Sequence, residues 1–264
     1  LFTRLRSEYD SVYIAAGAQR FKTLQMEGEN AAGVLNAFEF LNHVKNHRPV
    51  SLGKNIIIIG GGNTAMDVAR TAKRLAQPGS SVKVVYRRTR AEMPADVDEI
   101  KALLSEGIEL LELLAPERLI TFQNRITGLL CANMQLVKSG NESRLIPVKI
   151  EGEFSEFRVD TLIPALGQDI DINFMTPAEL QTVKGSYETQ VPGVFVGGDA
   201  LRGAATIVKA VGDGRKAAIQ IAAKAGFVLP SERLSSDKKM SHSDFIIRKS
   251  QRQKMAAGIA GDHP

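Results

Sequence analysis

Three consecutive glycines, Gly60, Gly61 and Gly62, are followed by Asn63, Thr64 and Ala65, and the six stand between an apolar run and an amphipathic one. Such a loop can do a specific job. Gly60 permits a tight turn, Gly62 removes a Cβ from the path of a pyrophosphate, and unpaired amides at a helix start accept negative charge. Ala65 takes the third small position, where helix and strand must pack closely. A GxGxxA pattern alone is weak; a strand before it and a helix after it make it a dinucleotide site. Both are expected here.

The end of the next strand selects the dinucleotide. An NAD site places an acid there to accept from the ribose 2′-hydroxyl, whereas this chain carries Tyr86, Arg87, Arg88, Thr89 and Arg90. Guanidinium groups suit a phosphate and offer no acceptor to a hydroxyl. Arg87 and Arg88 therefore point to the 2′-phosphate of NADPH, with an exposed basic loop as the plainer alternative.

The elements that must hold these residues are legible around them. Residues 55–59 put four β-branched isoleucines in a row, as in a buried parallel strand. Behind the glycines, Ala65, Val68, Ala69, Ala72, Leu75 and Ala76 recur at helical spacing until Gln77, Pro78 and Gly79 stop them. A strand over 82–86 completes a βαβ unit. Elsewhere the patterns predict a short buried strand over 11–16, a helix over 31–46 with Leu35, Phe38, Leu41 and Val44 near one face, and a helix over 94–106. From 110 to about 164, strand-like stretches broken at Asn124, Gly128, residues 138–141 and Gly152 predict an antiparallel meander, closed by a strand over 159–167. A strand over 193–199 and a long alanine-rich helix over 206–225 follow.

Composition bounds the rest. A chain of 264 residues with 44% apolar content suggests about two domains. No apolar run approaches the roughly 18 to 20 residues of a membrane span, so a cytoplasmic protein is expected. One cysteine, Cys131, allows no CxxC pair and no four-thiolate cluster, so electrons would travel through an organic cofactor. In its apolar surroundings Cys131 reads as a buried structural thiol. His43 and His47 stand four apart without an evident third ligand, which disfavours a metal site. Residues 231–264 hold seven Lys/Arg against four Asp/Glu and so supply +3 of the net +5. They lack aromatic interleaving, so they read as a linker or docking tail and not as a nucleic-acid surface.

The chain resembles the flavoprotein reductase module shared by the glutamate synthase small subunit and the amino-terminal region of dihydropyrimidine dehydrogenase, with a pyridine nucleotide-disulfide oxidoreductase-like fold. The resemblance rests on GGGNTAMDVAR at 60–70, VYRRTRAEMPA at 85–95, IPALGQ at 163–168 and VFVGGDALRGAATIVKAVGDGRKAA at 194–218. It spans the chain to about Phe227; residues 244–249 look more like a connection to a further domain.

This resemblance implies an α/β fold in which a Rossmann-like NADPH-binding domain with a small antiparallel meander (51–167) is inserted into an FAD-binding Rossmann-like domain (1–50 and 168–230), with 231–264 as the tail. It implies that Gly198 and Asp199 lie at the FAD ribityl–phosphate region, and that Thr206, Ile207 and Val208 aim amides at the flavin pyrimidine edge. Ala165 and Gly167, with Ala16 and Gly17, would mark the crossovers between domains. Relatives carry an FAD-binding βαβ unit upstream of the part resembling residues 9–17, and a cysteine-rich iron–sulfur segment further upstream. The chain is thus expected to be a fragment with a complete NADPH domain, an incomplete FAD domain, and FAD retention left open.

The implied reaction is hydride transfer from NADPH to FAD and electron delivery to an iron–sulfur-containing domain or subunit, with no nucleic acid or membrane partner. Cofactors would perform it, so no general acid or base is assigned. Lys209, Glu99 and Glu106 read as solvated helix residues. The rival from another class is a nucleotide-binding or docking module without turnover; a disulfide reductase is disfavoured by the missing cysteine pair.

Overall fold

The computed structural model describes residues 1–138 and 145–227. The turn expected at 138–141, beyond Lys138, and the basic tail lie outside the described residues. Contacts divide the chain into two units, residues 1–217 and 218–264. The described part of the second is a helical stretch to Lys224, closed by an amide of Phe227 on the carbonyl of Ala222 at 2.8 Å.

The first unit begins with α1 (Phe2–Glu8), β1 (Val12–Ile14), β2 (Arg20–Phe21) and α2 (Ala37–Lys45). β3 (Asn55–Ile59), α3 (Asn63–Leu75), β4 (Ser81–Val85), α4 (Val97–Ser105) and β5 (Glu109–Leu111) come next. Three long strands follow, β6 (Leu114–Phe122), β7 (Arg125–Val137) and β8 (Ile146–Arg158), then β9 (Thr161–Pro164), β10 (Gln168–Asp169) and α5 (Pro177–Leu180). β11 (Val194–Val196), α6 (Asp199–Arg202) and α7 (Ile207–Lys224) complete the order.

The central sheet is parallel, in the order β5-β4-β3-β9. Its isoleucines alternate between two cores, as period-two geometry requires. Ile56 and Ile58 face α2, α3 and α4 with Met66, Val68, Ala69, Leu103 and Phe40. Ile57 and Ile59 face Leu119, Ile126, Leu129 and Cys131 of the β6-β7-β8 meander. Each fully buried isoleucine contributes about 1.5–3 kcal/mol. One face of this Rossmann-like sheet is therefore covered by strands, not by a second layer of helices.

Several boundaries differ from the sequence reading. The 159–167 stretch does not close the meander: β9 pairs parallel to β3 in the central sheet, and β5 pairs parallel to β4 at its edge. α2 begins at Ala37, not 31, because the Asn36 side chain accepts from the amides of Phe38 and Glu39. Residues before it bridge elsewhere, Ala32 to Arg125 and Val34 to Leu162. Phe38 is 49% exposed and stacks on Phe21 at 5.2 Å. α4 begins at Val97, capped by Asp96. Residues 2–8, for which the sequence patterns offered no element, form α1, and Phe2 packs against Phe174 at 4.8 Å.

Glu99 and Glu106 are not merely solvated. Arg70 of α3 reaches Glu99 at 2.6 Å and Glu106 at 2.7 Å on α4, and Arg74 reaches Glu106 at 2.8 Å. The Arg70 hydrogen bond holds the Glu106 carboxyl below the usual range. A carboxyl lowered in the folded state stabilises above its unfolded pKa, near 4.3, and loses that contribution as pH falls through its folded value. Arg70→Ala is expected to lower the thermal midpoint by a few degrees at pH 7, with the gap to wild type closing as Glu106 protonates. Melting curves from neutral to acid pH check this; a gap constant with pH would remove the ion pair as its cause.

Outside the central sheet, β1 pairs parallel with β11 and β2 pairs antiparallel with β10. Ile14, Met175, Val194, Val196 and Ala200 form their own small core, with Phe2, Leu180 and Leu201 against it. Among the described residues no helix is long and apolar enough to cross a membrane.

Candidate functional site

β3 delivers the chain into the glycine loop at the carboxyl end of the parallel sheet. The Gly60 amide donates to the carbonyl of Val85 at 3.1 Å, and the Ala165 amide donates to that of Ile59 at 2.7 Å. The loop thus sits between β4 and β9, at the end where parallel sheets place ligand crevices.

The three glycines have different reasons to be glycine. Gly60 has φ +148°, and a Cβ on it would run into the carbonyl of Ala165. A Cβ on Gly61 would run into the ring of Tyr86. Around Gly62, the N-cap of α3, a Cβ would meet nothing within 4 Å. Two glycines therefore serve internal packing, and the third faces open space. Ala65 is fully buried, and the Gly60 Cβ would stand 3.3 Å from its own, which explains the small residue there.

The loop also leaves donors free. Gly62's carbonyl accepts from the amides of Ala65 and Met66, at 2.9 and 3.2 Å. Among the described residues the amides of Gly62, Asn63 and Thr64 make no hydrogen bond. Asn63 turns its side chain away from the helix end, accepting from the Asp96 amide at 2.8 Å. Free amides at the start of a 13-residue helix, beside a glycine with open space, fit a pyrophosphate.

β4 ends at Val85, and the arginines that follow separate by their contacts. Arg90 is committed to Glu112, its amide donating at 2.7 Å and its Nε lying 3.5 Å from the carboxylate. Arg87 and Arg88 have no ion pair among the described residues. Arg88 is half-buried, with Nε enclosed and without a hydrogen-bond partner. An enclosed, unpartnered guanidinium nitrogen calls for an acceptor. A phosphate monoester supplies one.

Residues on both sides of the sheet edge meet at a cavity of about 580 Å³, lined by Thr64, Pro164, Ala165, Gly167, Phe21 and Ala204, among others. Ala165 is buried and Gly167, at φ +94°, is exposed at the turn into β10. The structure thus brings Thr64, Ala165 and Gly167 together, with the turn before α7 beside them.

Gly198 and Asp199 follow β11. Gly198 has φ +63° and is the N-cap of the short α6; Asp199 is that helix's first residue, and its Oδ1 accepts from the Ala205 amide at 3.1 Å. Asp199 is thus neither a bare cap nor a fully free carboxylate: one oxygen positions the lead-in to α7. Among the described residues the amides of Thr206, Ile207 and Val208 make no hydrogen bond, and their side chains are exposed, Ile207 at 83% and Val208 at 79%. A hydroxyl acceptor and unpaired helix-start amides fit a polyhydroxylated chain ending in a ring that gathers negative charge.

Sequence reasoning missed the cluster behind this turn. The buried carboxylate of Asp213 accepts from Arg202 Nε and Nη2, both at 2.6 Å, from the Tyr187 hydroxyl at 2.7 Å and from the Gly198 amide at 3.1 Å. The signal was present in outline, since Ala210, Asp213 and Ala217 share one face of α7. An acid in the apolar phase of a helix implies a partner but does not name it. Cys131 is fully buried, and burial pushes its thiol up to about 12, so it is inert at neutral pH. No group of three or more metal-ligating side chains occurs among the described residues.

The family described as Pyridine nucleotide-disulphide oxidoreductase matches residues 4–214. The beta subunit of an NADP(+)-dependent formate dehydrogenase from Moorella thermoacetica is 35% identical over 228 residues, which cover 83% of this chain and 32% of that protein. The glutamate synthase (NADPH) small chain of Azospirillum brasilense is 32% identical over 236 residues, covering 81% of this chain and 48% of that one. The chain therefore spans about a third to a half of the length of these curated relatives. Among solved structures, FprA from Mycobacterium tuberculosis in complex with NADPH superposes with a TM-score of 0.71 at 19% identity, over 85% of this chain and 65% of that one. That similarity is one of fold.

Proposed function

The chain belongs to the pyridine nucleotide-disulphide oxidoreductase family, and from that membership we propose that it is the NADPH-dependent, FAD-containing module of a cytoplasmic oxidoreductase, passing electrons to an iron–sulfur-containing domain or subunit. The observation that carries this reading is the glycine loop, with free amides and open space at Gly62, together with two arginines after β4 that have no carboxylate partner among the described residues. The named functions of the formate dehydrogenase and glutamate synthase relatives support an NADPH donor and a partner subunit.

On this reading residues 51–167 form the dinucleotide domain, inserted between the two parts of a flavin domain. The pairings of β1 with β11 and β2 with β10 support it, because they join segments on either side of that stretch. The amides of Gly62, Asn63 and Thr64 hold the pyrophosphate, and Arg87 and Arg88 hold the 2′-phosphate. The cavity lined by Pro164, Ala165, Gly167 and Ala204 would hold the nicotinamide where it can meet the flavin. Asp199 accepts a hydroxyl from the ribityl chain through its second oxygen, and the amides of Thr206, Ile207 and Val208 offset charge at the pyrimidine edge. When bound, FAD supplies an N5 that accepts the hydride and a ring that releases electrons onward. The protein's part is positioning.

Purified protein is expected to show the visible absorption of flavin, or to acquire it on incubation with FAD, and to bleach on anaerobic addition of NADPH. A colourless protein that takes up no flavin yet binds NADPH would replace this reading with that of a nucleotide-binding or docking module.

A further inference from the structure

Asp213 lies in the second turn of α7, 3% exposed, and no candidate ligand-facing residue is its neighbour in sequence. All four of its hydrogen bonds run to the turn after β11 or to what packs on it. Oδ2 takes the Gly198 amide and Arg202 Nε; Oδ1 takes Arg202 Nη2 and the Tyr187 hydroxyl. Tyr187 is itself fixed on β11, where its carbonyl accepts from the Val196 amide at 2.9 Å. The hydroxyl of Tyr13, from β1, would be struck by a Cβ on Gly197 and stands 3.7 Å from one on Gly214, so it fills the space between strand turn and helix. On the other side of the turn, Asp199 accepts from the Ala205 amide just ahead of α7.

These contacts close a loop. Asp213 ties the turn at 197–199 to the body of α7, and Asp199 ties the same turn to the helix's lead-in. Together they set the Asp199 carboxylate and the free amides of Thr206, Ile207 and Val208 in one fixed relation. Gly198 permits this closeness: its φ is +63°, and a Cβ there would already stand 3.4 Å from that of Ala210. A bidentate guanidinium and two further donors hold the Asp213 carboxylate rigidly, which a neutral side chain cannot reproduce.

We propose that Asp213, clamped by Arg202 and Tyr187, is the positioning residue of the flavin site, setting the distance between the acid that takes the ribityl chain and the helix start that meets the flavin ring. This rests on the flavin reading above. Asp213 touches no ligand on this account; it acts through Gly198 and Arg202. Removing its charge frees Arg202, whose side chain is 44% exposed, and leaves the Gly198 amide without its charged acceptor. The two halves of the site then fluctuate independently, and a ligand that must touch both loses preorganisation.

The test is titration of the full chain with FAD, followed by flavin fluorescence, for wild type, Asp213→Asn and Arg202→Lys, with NADPH titrated in parallel and visible circular dichroism recorded at flavin saturation. Asp213→Asn is expected to raise the FAD dissociation constant by about tenfold and to change the dichroism of the bound flavin, while NADPH affinity stays within about twofold of wild type because none of the four Asp213 hydrogen bonds reaches the glycine loop or the arginines after β4. Arg202→Lys keeps the charge and loses the fork, so it falls between the two. Wild-type FAD affinity and dichroism in Asp213→Asn overturn the proposal. Should that variant lose NADPH binding as well, it has misfolded, and Arg202→Lys decides by the same criterion. A wild-type chain that binds NADPH and no FAD overturns the flavin reading itself, and the proposal with it.

Discussion

Replacing both Arg87 and Arg88 with alanine is expected to weaken NADPH binding by about 100-fold or more while changing NADH affinity by less than about threefold. Hydrogen bonds to charged groups contribute about 1.5–3 kcal/mol each, and a 2′-phosphate is the only group by which the two cofactors differ. The two arginines are not expected to share this equally. Arg87 is exposed, where solvent and salt screen its charge. Arg88 holds its Nε shielded from solvent and without a partner, so its charge is screened less. Arg88→Ala should therefore cost more than Arg87→Ala, and the cost of Arg87→Ala should shrink as ionic strength rises. Arg90→Ala serves as the comparison, because that side chain is committed to Glu112. Fluorescence titration with both dinucleotides measures all of this. Equal losses for NADPH and NADH in the double variant would sink the assignment to the 2′-phosphate.

The second large effect separates glycines that look alike. Gly62→Val is expected to remove binding of NADPH and NADH together, by more than about 100-fold, with a thermal midpoint close to wild type, because its side chain projects into open space that the proposed function assigns to the pyrophosphate. Gly60→Val is expected to destabilise the fold by about 3 kcal/mol or more, because a β-branched residue at φ +148° would run into the carbonyl of Ala165. Gly61→Val meets the Tyr86 ring, a side chain able to shift, and should fall between them. Paired melting and titration curves resolve the three cases. A Gly62→Val protein that binds both dinucleotides normally would move the pyrophosphate elsewhere.

How much of this could be read without coordinates depended on how local the cause was. β3 was legible because four successive isoleucines terminated by glycine have few other fates. α3 was legible because its apolar period and its stop at Pro78 are carried by neighbours in sequence. A helix start was lost even so: the periodicity continues before Ala37, and the Asn36 cap together with the bridges of Ala32 and Val34 to distant strands ends it.

The amino-acid sequence by itself determined the βαβ unit, the glycine loop with its small third position, and the arginines where a selective acid would stand. Each is a matter of residue type at short spacing, and the backbone physics of turns and helix ends acts over that same range. Tertiary structure alone decided that β9 joins the parallel sheet, that a meander covers the sheet's second face, that Gly62 and not Gly60 or Gly61 faces open space, and that Asp213 holds Gly198 and Arg202. The reason is common to all four. Strand partners, the direction of free volume and the pairing of a buried charge are set by groups brought together through folding, and no local pattern encodes which groups those will be.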